Sequence, residues 1–202
     1  MREDPVSSLY ENSQSAVVAD FINDARRHVE ESHDWSTLFT DFTFNTAASD
    51  KLYSLTDTQN RATVVDVRNL TSMGFLVYVP SQWIRRSEMI QNPGESTPTK
   101  YTIDGVDANG DTQIQLWPIP DGIYSMSVRL VQRSGDLTLE GSTTNLPHMP
   151  IIHMAHMLAA SERGDVSAGD IQMLAAQASK SLNDAIQYDM ARQPENNIWA
   201  PV

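Results

Sequence analysis

The feature that most constrains this chain is a double change of hydrophobic period, helical at both ends and strand-like between them. Near the N-terminus Val17, Val18, Phe21, Ile22, Ala25 and Val29 recur at helical spacing, with Ser13 or Ser15 as a cap. The opposite face carries Asp20, Asn23, Asp24, Arg26, Arg27 and Glu30, which predicts a surface helix with one buried stripe. Trp35 and Leu38 follow and are expected to close the end of that core.

From about residue 39 to 132 apolar and polar residues alternate, as in Gln113-Ile-Gln-Leu116 and Tyr124-Ser-Met-Ser-Val-Arg-Leu130. The alternation predicts antiparallel strands with one wet face at 42–45, 51–55, 62–69, 75–79, 100–104, 113–117 and 124–131. Asn109-Gly110 between two such runs reads as a hairpin turn. Pro80 and Ser81 open a short helix near 80–90, and two prolines and a glycine make 92–99 a loop.

The helical period returns at Pro147 or Pro150 and runs through Ile151, Ile152, Ala155, Leu158 and Ala159 to Gly164. A second helix is expected over 167–193, with Ser167 and Asp170 in N-cap and N3 relation and a stripe of Ile171, Leu174, Ala175, Ala178, Leu182, Ala185 and Ile186. Pairing the terminal helices is the simplest way to bury both stripes. The expected fold class is therefore α+β: a small helical bundle from residues 1–40 and 147–193, with an inserted antiparallel β module over 41–146. An extended tail over 194–202 completes the chain.

Composition removes several functions. The absence of cysteine excludes a disulfide framework, Cys-based zinc sites and thiol nucleophiles. With 26 Asp and Glu against 14 Lys and Arg, the net charge of −12 argues against gripping nucleic acid, whose affinity comes from neutralised phosphates. It also gives no attraction to anionic lipid. Residues 1–10 carry acids and no apolar core, so no secretory signal is expected. No stretch approaches the roughly 18 apolar residues of a membrane span.

Candidate chemistry is thin. The acidic run from Asp104 to Asp111 suggests a calcium loop, but counted from Asp107 the EF-hand glycine position holds Thr112 and the glutamate position holds Pro118. An acidic hairpin turn is the better reading. His153 and His156 share a helical face with His148 nearby, yet zinc needs three or four ligands, and no metal site or cofactor is expected. There is no Gly-x-Ser-x-Gly elbow and no glycine-rich phosphate loop, so no catalytic residue is assigned. Trp83-Ile-Arg-Arg86 is too small for a nucleic-acid footprint, and packing of Trp83 on the sheet is the expectation.

The tail differs. Pro194, Ile198, Trp199, Pro201 and Val202 are apolar at a terminus, where frayed polar residues are usual. They either fold back on the domain or dock on a partner with Trp199 as the anchor.

In order and spacing, Trp35-Ser-Thr-Leu38, Tyr53-Ser-Leu55, Phe75-Leu-Val-Tyr-Val-Pro-Ser-Gln-Trp83 and Pro98-Thr-Lys-Tyr101 carry a resemblance that extends over most of the chain. Leu116-Trp-Pro-Ile-Pro-Asp121, Asp136-Leu-Thr, Leu146-Pro147 and the Ala-rich helical pair around Gly164-Asp165 continue it. Together they resemble the head–tail connector (adaptor) proteins of tailed bacteriophages. The resemblance implies a non-enzymatic virion protein of the neck, assembled in the host cytoplasm as a homo-oligomeric ring, usually of twelve copies. It implies portal and tail or nozzle proteins as partners, DNA passing through without specific binding, no membrane, and a C-terminal segment engaging the portal. The rival readings are another tail or fibre-attachment module of the virion and, further off, a hydrolase using paired carboxylates.

Overall fold

Where the helical period begins, α1 (Ser13–Glu31) forms, and a turn of 3-10 helix (Ser36–Leu38) follows it. The computed structural model describes residues 13–58, 61–90, 94–138, 142–164 and 166–192. The chain divides into two compact units: Met1–Leu38 with Ser134–Val202, and Phe39–Arg133. The class is α+β, with helices in the first unit and two sheets in the second.

In the first unit α3 (His148–Arg163) packs against both α1 and α4 (Ala168–Ala191). Ala19, Ala25, Val29, Trp35, Leu38, Leu146, Ile151, Ala160 and Ala178 are among its buried apolar residues. Gly164 ends α3 at φ 65, the left-handed conformation that glycine takes without a Cβ penalty. Ser167 caps α4: its Oγ accepts from the Asp170 N–H at 3.2 Å and donates to the Asp170 carboxylate at 2.8 Å. The α4 stripe from Ile171 to Ile186 is buried or partly buried as its spacing predicts. Among the described residues no helix is long and apolar enough to cross a membrane.

The polar face of α1 corrects the sequence reading. Asn23, Arg26 and Glu30 are buried, Arg26 to 0% and Glu30 to 2% exposure, while Val17 and Val18 of the expected stripe are exposed. The cause is the segment 134–137, which lies along that face. Glu30 Oε1 accepts from Ser134 N–H at 2.8 Å and from its hydroxyl at 2.9 Å. Arg26 donates to Ser134 Oγ and faces Asp136 at 3.4 Å and Glu30 at 4.0 Å. Asn23 takes the Leu137 N–H at 2.8 Å and donates to its C=O at 3.2 Å, replacing a backbone partner. A charge can be buried when it is paired and hydrogen-bonded, and each of these is.

The second unit holds two four-stranded sheets. One has the order β1 (Phe39–Asn45), β8 (Ser125–Gln132), β3 (Ala62–Asn69), β4 (Gly74–Phe75); the other has β2 (Leu52–Ser54), β7 (Thr112–Trp117), β6 (Lys100–Val106), β5 (Val77–Tyr78). Val67, Met126, Val128 and Leu130 from the first share one core with Tyr101, Ile114 and Leu116 from the second. All strand pairs are antiparallel except β5 on β6, which is parallel and departs from the expected antiparallel module. The expected strand at 75–79 divides at Leu76 because the chain there changes sheets.

Alternation also misreads β7, whose Gln115 is buried. The helix α2 (Ser81–Ile90) supplies the reason: its Glu88 accepts from Gln115 Nε2 at 3.0 Å and from Lys51 Nζ at 2.7 Å. Ile84 of the same helix is buried with Val79 and Trp117, and the Trp83 ring meets Trp117 edge-on at 6.3 Å. Lys100 Nζ lies 4.8 Å from the Trp83 ring centre, so Trp83 packs on the sheet as expected.

Removing one partner of a buried ion pair strands the other, so Arg26→Ala is expected to cost ~3 kcal/mol or more. Arg27→Ala, at a solvent-screened contact with Asp136, should shift stability far less. Urea unfolding followed by tryptophan fluorescence measures both, and equal midpoints for the two variants would rule out the buried pairing as a determinant of stability.

Candidate functional site

The expected docking residues Pro194, Ile198, Trp199, Pro201 and Val202 lie outside the described residues. Their root is well defined. Helix α4 ends on Arg192, whose N–H reaches the carbonyls of Asp189 and Met190. Asp189, in that last turn, is a residue the sequence reading passed over. A carboxylate there opposes the helix dipole and needs compensating donors. It has them: Ser36 N–H at 2.9 Å, Ser36 Oγ at 2.5 Å, and His33 Nε2 at 3.2 Å. The His33 ring in turn meets Trp35 edge-on at 5.1 Å, and Trp35 Nε1 donates to the Val29 carbonyl at 2.8 Å. The end of α1, the corner after it and the end of α4 thus form one hydrogen-bonded knot. An acidic residue closing an otherwise apolar stripe was the available signal for it.

Beside this knot lies a groove of about 700 Å³, lined among others by Trp35, Leu146, Pro147, Met149, Tyr188 and Arg192. It combines apolar walls with scattered polar groups.

The other candidates resolve into structure. The His153 ring meets Gln177 Nε2 at 3.3 Å, while His148 and His156 are exposed. Among the described residues no three His, Asp or Glu side chains are placed to hold a metal ion. Asp107 is spent on its own turn: its Oδ1 accepts from the Asn109 and Asp111 N–H groups at 2.8 and 2.9 Å. The bond from Asp111, first among several, holds that carboxyl below the usual range. Gly110 at φ 87 completes the hairpin, so the acidic run is a turn.

Asp189→Ala leaves the Ser36 and His33 donors unmatched and is expected to cost ~1–3 kcal/mol. Amide exchange read by mass spectrometry should then rise at the end of α4 and at 33–38. Unchanged protection in both segments would show that the contact does not hold the root of the tail.

A comparison with curated proteins finds no match. A comparison with family models finds one, described as SU10 adaptor protein, which matches residues 4–201. The match spans both terminal helices, the two sheets and nearly all of the tail, in agreement with the connector resemblance carried by the sequence. The chain belongs to the SU10 adaptor protein family, a family of phage head–tail adaptors.

Proposed function

We propose that this structural phage protein forms an adaptor ring attached below the portal, where it joins head to tail and continues the DNA channel. The observation that carries the reading is the family match over residues 4–201. Physical features of the chain support it. A net charge of −12 per copy makes a lumen that repels a passing polyanion instead of retaining it. Subunits in a ring act together, so a modest anchor on each gives high avidity.

The portal contact is assigned to the tail, with Ile198, Trp199 and Val202 as its apolar side chains and Pro194 and Pro201 limiting its conformations. Extended chain reaches at most ~3.3–3.6 Å per residue, so the nine residues of 194–202 span about 30 Å from the end of α4. Because Asp189 anchors that end, the tail leaves a fixed point and loses less freedom on docking than a tail on a frayed helix would. The neck of the virion is then the site of action, with assembly in the host cytoplasm and tail or nozzle proteins on the opposite side. No catalytic step is assigned.

Deleting 194–202 is expected to abolish attachment to portal-bearing heads while leaving the folded frame intact by circular dichroism. Trp199→Ala alone should weaken attachment by about 30-fold, the loss of one ~2 kcal/mol aromatic anchor. Attachment of the truncated chain with unchanged affinity would overturn the role of the tail.

A further inference from the structure

The segment that carries the chain from one sheet to the other is the edge of both. β4 is the last strand of the order β1-β8-β3-β4 and β5 the last of β2-β7-β6-β5, with Leu76 between them. Leu76 N–H donates to the Val67 carbonyl at 2.8 Å and Val77 N–H to that of Thr99 at 3.0 Å, so one short stretch is held by two sheets. Leu76 enters the shared core. Alternating with it, Met73, Phe75 and Val77 are 92%, 71% and 61% exposed, and Leu70 and Tyr78 beside them are exposed too.

A strand apolar on both faces is the pattern of a strand covered on both faces, and among the described residues nothing covers one of them. The hairpin tip is also fixed in place: Asn69 Oδ1 accepts from Thr71 and Ser72 N–H at 3.0 Å each. Met73 stands at φ 53, a conformation that costs a residue with a side chain. The far edge of the first sheet, β1, instead exposes Thr40, Asp41, Thr43 and Asn45, the polar dressing that keeps edges from pairing.

Charge selects the occupant. Copies of a chain at net −12 repel wherever their acids face each other, so contact between them favours uncharged surface. Residues 69–84 carry no charged side chain, and the charges paired with this edge, Arg68 opposite Phe75 and Lys100 opposite Val77, are cations, which an acidic copy tolerates and a basic partner does not. A basic partner would gain nothing there. Five apolar side chains fall short of the ~800 Å² per partner of a standard interface, so a single contact is weak. In a closed ring each copy makes two such contacts, and closure supplies what one contact lacks. We infer that the exposed edge from Leu70 to Tyr78 is a contact between copies of this chain, seated on a different face of the next copy. This rests on the ring reading above.

The test uses the full chain with Phe75→Asp and with Met73→Asp, both at exposed positions, and Phe75→Leu as the apolar control. Sedimentation from micromolar to millimolar concentration should show reversible self-association of the wild type and of Phe75→Leu. Either aspartate should weaken it about tenfold or more, with thermal midpoints unchanged. On portal-bearing heads imaged by electron microscopy, the Phe75→Asp chain should attach through its tail yet form incomplete rings. Complete rings from Phe75→Asp would overturn the edge contact and leave the ring reading standing. Complete rings that no longer accept a tail would assign the edge to the next virion protein, and also overturn it. Wild-type copies attached singly, with no ring, would overturn the ring reading and this inference together.

Discussion

The helical frame depends on a column of buried polar groups along α1. Arg26 and Glu30, both buried, draw the segment at Ser134, Asp136 and Leu137 onto the helix. That contact explains why the chain divides at 133/134: residues beyond Arg133 find their partners on α1. It also fixes what a mutation there does, because two charges brought out of water leave each dependent on the other. Hydrophobic contact closes the rest of the frame, but the polar column decides which stretch of chain lies against which face.

A second polar contact of the same kind sits at the other end of the frame. Asp189 opposes the dipole of its own helix and is stabilised by donors from the corner at His33 and Ser36. The groove beside Trp35 adjoins that knot. For the docking proposed for the tail, a helix end held during folding leaves less to be ordered at assembly.

The two units present different surfaces. The helical unit ends in an apolar tail, and the β unit carries an uncharged apolar edge within a strongly acidic chain. Acidity elsewhere makes copies repel one another and polyanions, so the contacts proposed for this chain fall where acids are absent. The same charge balance that argued against nucleic-acid binding thus bears on how copies meet.

Period alone set out the helices, most of the strands, the hairpin at Asn109-Gly110 and the cap at Ser167, because each depends on neighbours a few residues away. The order of motifs from Trp35 to Asp165 also points to the connector family, and the absence of cysteine and the acidic balance narrow the function. Tertiary structure decided the rest. Alternation placed Gln115 in water and helical spacing placed Arg26 and Glu30 there; both failed because the covering elements, α2 and the segment 134–137, come from distant sequence. Phe75 and Val77 read as ordinary strand residues, and only the sheet order shows that nothing among the described residues covers them. Local pattern records what a residue prefers. Which surface is buried depends on where the chain returns, and that is a property of the fold.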